Sequence, residues 1–308
     1  MRVHFPLCLR RHHSFYDDRL KKGEKMITIQ NEYLSASFVP LGAELKSLRA
    51  NGKEYIWPGD PSVWALSAPL MFPVCGGLKE DKYVFEGKEY SMPKHGYIRF
   101  KTFEVEEKSA SSVTFLHESD EETKENFPFD YQLRVKYTLL EKTLKIDYSV
   151  ENMGEKTMYF NIGSHEGYFT PEGIEDYDVI FPEKETLSAY VLYGNLLSAQ
   201  TLPIIKDQNY IPLYDKYFTV DALVFKDLKS RSATLRNRKT GKAVRVDFPD
   251  DPYFLLWHKP ASPYICLEPW SGIQDIVGSG FDITEKEGIL SLEGKKKYLH
   301  THSITIVE

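Results

Sequence analysis

The sequence predicts an all-β protein, a large antiparallel β-sandwich with few short helices, on three observations. Short runs in which apolar and polar residues alternate recur along the chain, and this alternation is typical of antiparallel strands that are covered on one side only. Helical periodicity is scarce, with no heptads and no internal repeat of fixed period. The 308 residues are 42% hydrophobic and 14% aromatic, which is ample for a packed core.

The clearest strands are a pair of runs, YQLRVKYTL (131–139) and TLKIDYSV (143–150). Every second residue of each run is apolar, as expected for a strand with one buried face. The three residues between the runs, 140–142, are few enough for a hairpin connection. Similar runs predict further strands at 27–38, 112–117, 157–162, 177–181, 242–248, 253–258 and 302–307.

Two other segments carry a helical signal. LGAELKSL (41–48) fits either a helical turn or a strand with a bulge, and DPSVWAL (60–66) begins with the Asp-Pro pair typical of a short helical turn. No linker rich in Pro, Ser or Gly divides the strand-rich region. We therefore expect residues 26–308 to form a single β-sandwich domain.

Residues 1–25 differ in character from the rest of the chain. They lack the long apolar region and the small-residue cleavage site of a signal peptide, and a strand pattern begins only at Met26. We expect them to be either a disordered extension or the product of a start codon assigned too early, with Met26 as the real start.

Composition excludes several classes of protein. A net charge of −6 argues against a nucleic-acid binder, which usually shows a concentrated basic face. No run approaches the 18 or so apolar residues that a membrane span needs. The three cysteines (Cys8, Cys75 and Cys266) have no CxxC spacing, which argues against a disulfide framework or a zinc site and favours a cytoplasmic location.

Three stretches each place a titratable side chain beside Gly or Pro and an aromatic residue: SMPKHGYIRF (91–100), YFNIGSHEGYF (159–169) and PYICLEPWSG (263–272). His95 and His165 each lie where a predicted strand meets a glycine, and polar side chains at strand ends open onto clefts. Alone, each histidine fits a structural hydrogen-bonding role better than a catalytic one. Glu268 follows an apolar run and precedes Pro269-Trp270, so burial should raise its pKa toward that of a general base near neutrality.

Other catalytic schemes find no support. The chain has no GxSxG elbow, P-loop or dinucleotide-binding motif, and Cys266 lies in an apolar run where a thiol is inert. His300 and His302 share one strand face, but without a third ligand nearby a metal site is the weaker interpretation. Acid/base chemistry without metal, cofactor or covalent intermediate remains. Several aromatic residues fit either stacking on a sugar ring or simple core packing: Tyr97, Tyr168, Phe169, Trp257 and Trp270.

Four motifs in a fixed order resemble a known family. They are HGYIR (95–99), IGSHEGYF (162–169), DALVF (221–225) and LEPWSG (267–272), with 70 residues between the two histidines and a further 103 to the glutamate. This set resembles the aldose 1-epimerase (mutarotase) superfamily, and more narrowly its bacterial LacX-type branch. The resemblance covers essentially all of residues 26–308 and includes APLMFPVCGGL (68–78).

The resemblance implies a galactose mutarotase-like β-supersandwich with an open carbohydrate cleft and catalysis without a cofactor. It implies that Glu268 is the general base that removes the proton from the anomeric O1 hydroxyl. His165 would be the general acid that protonates the ring oxygen O5. The C1–O5 bond then breaks, the open-chain aldehyde rotates about C1–C2, and the ring recloses with both roles reversed.

The resemblance also implies the substrate contacts. His95 would hydrogen-bond the sugar near O5, Asp221 would anchor a sugar hydroxyl, and Arg99 would bind substrate or orient the acidic groups. Trp270 is expected to add an aromatic contact to the sugar.

Two residues depart from the family pattern. Gly77 stands where many relatives carry an arginine, so one substrate anchor is either missing or supplied by Lys79 or Arg99. Glu166 follows His165 where relatives often have proline, and we expect its carboxylate to point outward into solvent.

Three functions therefore compete. The leading one is a mutarotase that acts on a free aldohexose. A hexose-6-phosphate mutarotase would need a basic cluster for the phosphate, for which Lys94 and Arg99 are the candidates. A carbohydrate-binding or sugar-sensing protein would keep the cleft but would not need a matched acid and base. The sequence leaves open the natural sugar and the oligomeric state, with a homodimer as one alternative.

Overall fold

The structure, a computed structural model, describes residues 26–307. The N-terminal extension expected at residues 1–25 lies outside the described residues, and the single domain expected over 26–308 stays a prediction. Strands dominate the described chain and its helices are short, which confirms the all-β prediction. No helix within this range is long and apolar enough to cross a membrane.

The described chain contains 21 strands, one α-helix and five short 3-10 helices. In chain order the strands are β1 Ile27–Gln30, β2 Leu34–Phe38, β3 Leu45–Ala50, β4 Lys53–Glu54, β5 Lys82–Phe85, β6 Lys88–Ser91, β7 Glu104–Lys108, β8 Ser112–Glu118, β9 Tyr131–Leu140, β10 Thr143–Asn152, β11 Met158–Phe160, β12 Gly167–Phe169, β13 Tyr177–Tyr193, β14 Leu196–Pro212, β15 Leu223–Phe225, β16 Ser232–Asn237, β17 Ala243–Asp247, β18 Tyr253–Trp257, β19 Tyr264–Trp270, β20 Leu290–Leu292 and β21 Lys297–Val307. The helix α1 spans Glu121–Asn126, and the 3-10 helices span Lys79–Asp81, Ile98–Phe100, Ile174–Asp176, Asp215–Phe218 and Ile283–Glu285.

Thirteen strands form one large sheet in the order β12-β19-β18-β15-β13-β16-β17-β21-β10-β9-β8-β7, with β14 paired to β13. Strands β1 to β4 form a second sheet, and β5–β6 and β11–β20 form two small ones. The ring of Phe38 in β2 lies 5.9 Å from that of Phe115 in β8 and 4.3 Å from that of Tyr137 in β9. The second sheet therefore packs face to face against the large one, as predicted for a sandwich.

The predicted strand segments are confirmed with two adjustments. Strands β9 and β10 form the expected hairpin, in register from Leu140 opposite Thr143 to Tyr131 opposite Asn152. Residues 45–48 of the segment 41–48 begin β3, whose pairing with β2 shows a register shift, so the bulged strand was the correct alternative for this part. The run 27–38 divides into two strands, because the Asn31 side chain accepts hydrogen bonds from the Tyr33 and Leu34 N–H groups and turns the chain.

The helical signal at DPSVWAL produces a single turn. The N–H groups of Val63 and Trp64 both donate to the Asp60 carbonyl, at 2.9 and 2.8 Å, and the Asp60 carboxylate accepts from Ser62 N–H. The chain then leaves the helical path. This one turn matters because it directs Trp64 toward the site described below.

Candidate active site

The pairing of β12 with β19 sets His165 opposite Glu268. Gly167 is opposite Cys266, and an isolated bridge places Gly163 opposite Trp270. Between these two antiparallel pairs, residues 165 and 268 are cross-strand neighbours with side chains on the same face. Two residues that are 103 positions apart in the chain are thus brought into contact by sheet register.

His165 and Glu268 lie close together and are largely enclosed. His165 Nδ1 lies 3.4 Å from Glu268 Oε1. This distance is within ion-pair range but lacks hydrogen-bond geometry, since His165 Nδ1 has no hydrogen-bond partner among residues 26–307. Glu268 is 1% exposed. Burial raises the pKa of Glu268 well above its usual value, and burial together with the Lys94 charge lowers the pKa of His165 to about 3. Together these two shifts favour a proton on Glu268 and a neutral His165.

Aromatic side chains enclose the His165 ring. Trp64 lies 5.3 Å from it at an interplanar angle of 32°, and Trp257 lies 5.5 Å away, edge to face. The ring of His95 approaches from a third side at 5.4 Å. These neighbours keep water away from the imidazole, which is the desolvation that lowers its pKa.

Hydrogen bonds to Gly76 hold His95 in one tautomer. The backbone N–H of His95 donates to the Gly76 carbonyl at 2.8 Å, and the Gly76 N–H donates to Nδ1 of the His95 ring at 3.1 Å. Since Nδ1 accepts, the ring proton of neutral His95 lies on Nε2. Burial, with the Lys94 and His165 charges, also lowers the pKa of His95 well below its usual value. His95 is therefore a neutral Nε2–H donor.

The backbone at His95 is strained to hold this position. Its φ is +65°, a left-handed conformation that costs a non-glycine residue roughly 1–3 kcal/mol and that is concentrated at functional sites. The next residue, Gly96, also has a positive φ, and a Cβ there would lie 2.1 Å from the Phe72 carbonyl oxygen. Only glycine permits this close approach.

All six predicted site residues line one cavity of about 360 Å³, within the range of about 300–1,000 Å³ typical of ligand pockets. They are His95, Arg99, His165, Asp221, Glu268 and Trp270. The rest of the lining is mainly apolar or aromatic, with a few polar additions. It comprises Trp64, Leu66, Pro69, Met71, Gly76, Lys94, Leu192, Asn195, Ala222, Leu255, Trp257 and Gln274. The structure brings the predicted residues together, and their individual roles stay predictions.

The predicted substrate contacts differ in setting. Arg99 Nη1 is buried without a hydrogen-bond partner among residues 26–307, and burial lowers the Arg99 pKa to about 10. Asp221 has a positive φ of 81°. Trp270 is 2% exposed, and its indole N–H donates to the Ser164 carbonyl at 3.2 Å. Trp270 therefore steadies the backbone before His165 as well as lining the cavity.

Some expected contacts do not occur. Of the aromatic residues considered for stacking, Trp257 and Trp270 line the cavity, whereas Tyr97, Tyr168 and Phe169 do not. Lys79 is also turned away, because its Nζ donates to the Ser279 carbonyl at 3.1 Å and lies 4.3 Å from the centre of the Phe281 ring. Of the two basic residues considered as replacements for the arginine expected at position 77, only Arg99 reaches the cavity.

The prediction that Glu166 points into solvent is wrong. Glu166 is 5% exposed, and its Oε1 accepts a hydrogen bond from His302 Nε2 at 3.0 Å. Because successive side chains of an extended chain point to opposite sides, His165 faces the cavity while Glu166 faces the core. The Glu166 carboxylate thus lies behind His165 and Glu268 rather than beside them.

The HTH pair is part of this same core arrangement. His300 Nε2 lies 3.2 Å from Asp251 Oδ2, and both groups are buried. His300 and His302 each stack on Tyr148 at 5.6 Å between ring centroids. The two histidines therefore have separate carboxylate partners, which favours the structural interpretation over a shared metal ion.

One group of residues in the described chain has ligand atoms close enough for a metal ion. His165, Cys266 and Glu268 place one such atom each within 4.8 Å of the others. Burial raises the pKa of the Cys266 thiol well above its usual value, so a metal ion at this position would have to displace the thiol proton. The same histidine and glutamate are suited to proton transfer without a metal.

Among the polar and aromatic residues that line the cavity, sequence reasoning missed three: Trp64, Asn195 and Gln274. Trp64 follows a recognised turn motif, which was a usable signal. Asn195 lies at the tip of the β13–β14 hairpin and Gln274 in the loop after β19. No local pattern marks either residue, since each reaches the cavity through contacts between distant segments.

Known proteins resemble this chain over most of its length. A family model described as aldose 1-epimerase matches residues 25–280. Protein LacX of Lactococcus lactis subsp. lactis, in its plasmid form, is 36% identical in an alignment of 299 residues that covers 91% of this chain and 99% of that protein. The chromosomal form of LacX shows the same identity and coverage.

Solved structures agree with the sequence relatives. A galactose mutarotase related enzyme from Lactobacillus acidophilus has a TM-score of 0.87 and 31% identity, covering 92% of this chain and 98% of its own. A galactose mutarotase-like protein from Lactobacillus casei ATCC 334 has a TM-score of 0.86 and 30% identity, covering 92% and 100%. The predicted galactose mutarotase-like fold is confirmed, and the chain belongs to the aldose 1-epimerase family.

Proposed function

We propose that this protein is a mutarotase that interconverts the α and β anomers of an aldohexose by acid/base ring opening and closure, without a cofactor. The observation that carries the proposal is the His165–Glu268 pair, 3.4 Å apart and lining a cavity with mainly apolar and aromatic walls. The family and its mutarotase-like structural neighbours support the same reaction class.

The pair needs only one proton for the whole reaction. At the start Glu268 is a carboxylate that takes the O1 proton, and His165 is an imidazolium that gives its proton to O5 as the C1–O5 bond breaks. After ring opening Glu268 is protonated and His165 is neutral, and closure on the other face reverses both transfers. Burial of the two side chains already favours this second proton distribution. The site thereby favours the protonation state that accompanies the open-chain aldehyde.

Other residues of the cavity hold the sugar for this transfer. His95 donates from Nε2 near O5, and Asp221 accepts from a sugar hydroxyl. The indoles of Trp64, Trp257 and Trp270 offer apolar surface to the carbon face of the ring. The Arg99 guanidinium, with one buried nitrogen unpaired among the described residues, is available to a substrate oxygen.

Polarimetry tests this function directly. Freshly dissolved α or β anomers of glucose and galactose are followed to equilibrium with and without the protein, in a buffer whose own catalysis is measured in parallel. A protein-dependent, saturable acceleration is expected for at least one of the sugars. Rates equal to buffer for every sugar, including the 6-phosphates, would overturn the mutarotase proposal.

The pH profile of kcat/KM is expected to lack the acid limb of an ordinary histidine. That limb would lie near about pH 6.5, but the pKa of His165 in the free protein is lowered to about 3. Lowering the pH adds a second proton to the pair only near that value, whereas activity falls at high pH once the raised pKa of Glu268 is passed. We expect that kcat/KM does not fall as the pH is lowered from about 7.5 to about 5.5. A loss of activity on lowering the pH, with a midpoint near 6.5, would show that the proposed proton distribution is wrong.

A hexose-6-phosphate is the second candidate substrate, because two cations line the cavity. Lys94 and Arg99 both line it, and the Lys94 charge acts on the pKa of His95, His165 and Glu268. With the acid/base pair carrying its single proton, Asp221 is the one remaining anion of the lining. Two cations against one anion favour a substrate with negative charge.

The variant Lys94→Met separates the two substrates. If a phosphate is bound, KM for the 6-phosphate should rise about tenfold or more, the value of a hydrogen bond to a charged group, while KM for the free sugar stays within about threefold. Equal changes for both would exclude Lys94 as a phosphate ligand. Lys79→Met is the matched control, because Lys79 is a neighbouring cation outside the cavity.

A further inference from the structure

We propose that the amide side chains of Gln274 and Asn195 form a subsite of the cavity that binds ring hydroxyl groups of the sugar. Gly76 and Gly77 lack side chains and so leave room for these two amide residues. The inference rests on the proposed function, in that the ligand is taken to be a sugar. It extends that function by naming residues that determine which sugar is accepted.

Gln274 carries an acceptor that lacks a partner. The side chain lines the cavity and is 3% exposed, and its Oε1 is buried with no hydrogen-bond partner within residues 26–307. Leaving a buried amide oxygen unsatisfied costs about 1–3 kcal/mol, so such an atom in a ligand cavity indicates a missing donor. A sugar O–H group entering the cavity supplies one.

Gly76 is the residue that lets Gln274 approach. Its φ is +74°, and a Cβ at this position would lie 2.5 Å from the Gln274 Cβ and 2.8 Å from Oε1. The same glycine donates its N–H to His95 Nδ1. A single backbone position therefore fixes both the neutral tautomer of His95 and the placement of the Gln274 amide.

Gly77 does the same for Asn195. A Cβ at position 77 would lie 2.7 Å from the Asn195 Cβ and 3.0 Å from the Asn195 carbonyl oxygen. The φ of Gly77 is outside the left-handed region, so space rather than backbone conformation requires glycine here. Any larger side chain at position 77, an arginine included, would have to displace Asn195. The hairpin tip thus closely covers the position at which the arginine of the family pattern would begin.

Backbone hydrogen bonds fix the two amides relative to each other. Asp275 N–H donates to the Gly77 carbonyl at 3.0 Å, and Leu197 N–H donates to the Asp275 carbonyl at 2.9 Å. Val277 N–H donates back to Leu197 at 2.7 Å, and Lys286 Nζ reaches the Asp275 carboxylate at 3.1 Å. The hairpin tip, the Gly76-Gly77 segment and the loop after β19 are therefore one hydrogen-bonded frame.

The chemistry of the subsite matches neutral hydroxyl groups. An amide offers both a donor and an acceptor, as does a sugar hydroxyl, and neither amide carries a charge that would prefer a phosphate. Glu268 and His165 engage O1 and O5 in the proposed reaction. The amides are therefore left for hydroxyls on other ring carbons, whose configuration distinguishes one aldohexose from another.

Titration calorimetry of wild type, Gln274→Leu and Asn195→Ala against galactose, glucose and their 2-, 4- and 6-deoxy analogues tests the subsite. Each variant should bind its better sugar about tenfold more weakly, which corresponds to one lost hydrogen bond. Each should also lose the discrimination that the wild type shows between that sugar and one deoxy analogue. In kinetics KM should rise while kcat stays within about threefold, since hydroxyl binding is the same before and after ring opening.

Gly77→Ala adds a test of geometry. Its Cβ should displace Asn195 and reproduce the weaker binding of Asn195→Ala, with no further loss in the double variant. The matched control is Gly280→Ala, where an added Cβ meets nothing within 4 Å. An additive double variant would show that Gly77 acts through something other than Asn195.

The outcomes separate this inference from the proposed function. If both variants bind every sugar with the affinity of the wild type, the subsite proposal is overturned, even when the wild type is an active mutarotase. If the wild type and the variants bind sugars as expected but the wild type does not accelerate anomer interconversion, the subsite proposal stands and the proposed function is overturned. A loss confined to kcat, or equal for parent and all deoxy sugars, also overturns the subsite. Wild-type protein that binds none of the sugars overturns both.

Discussion

Replacing Glu268 with glutamine is expected to lower kcat for anomer interconversion by at least about 10²-fold, the usual contribution of a positioned general base. Glutamine keeps the size of the buried side chain and cannot take the O1 proton. The fold should not suffer. Because burial raises the pKa of Glu268, folding binds a proton at this site, and that contribution to stability is lost as pH rises from the ordinary carboxyl pKa to the raised one. The variant should therefore be at least as stable as the wild type at neutral pH.

The decisive measurement is kcat by polarimetry at saturating sugar, combined with thermal unfolding. His165→Asn should show a loss of similar size, and the double variant should be little worse than either single one, because residues that act as a unit are not additive. Asp221→Asn is a useful contrast, since removing a substrate anchor should act mainly on KM. A kcat near that of the wild type in Glu268→Gln, with the protein folded, would contradict the assignment of the base.

The sequence was sufficient for the architecture, because alternating runs predicted most strands. The resemblance to a family singled out His95, His165 and Glu268, which line one cavity in the structure, but neither source predicted what lies around them. The sequence did not show whether the Glu166 side chain points into solvent or into the core. Strand β19 is buried on both faces along its whole length, so at this end of the sheet burial does not separate the cavity side from the core side. The partner that holds Glu166, His302, is 136 residues away.

The cavity walls were harder to predict for a related reason. Trp64, Asn195 and Gln274 come from a turn, a hairpin tip and a loop, where no periodicity assigns a face. Asn195 packs against Gly77 and Gln274 against Gly76, each in space that a Cβ on the glycine would occupy. A pair of glycines in sequence indicates that something approaches closely, but it does not identify the approaching residue. That information lies in the tertiary structure alone.

The core pair behind the site should be essential to stability. His302→Leu is expected to lower the free energy of unfolding by about 3–5 kcal/mol, the usual cost of removing one partner of a buried pair. The Glu166 carboxylate would lose the hydrogen bond to its Oε1, and its Oε2 already lacks a partner among the described residues. Chemical denaturation followed by tryptophan fluorescence measures the change. Leu299→Ala, at a position 69% exposed on the same strand, is the matched control and should stay within about 0.5 kcal/mol of the wild type.

A double variant distinguishes the buried charge from simple loss of packing. In Glu166→Leu/His302→Leu no carboxylate remains to be desolvated, so most of the stability lost in His302→Leu should return, because apolar replacement of a whole buried pair is often neutral or stabilising. Glu166→Gln should fall between these variants, since its amide oxygen still accepts from His302 Nε2 without a charge. If the double variant is as unstable as His302→Leu, the pair contributes shape rather than charge compensation. In that case the glutamate at position 166 would have no electrostatic reason to be paired with a histidine 136 residues away.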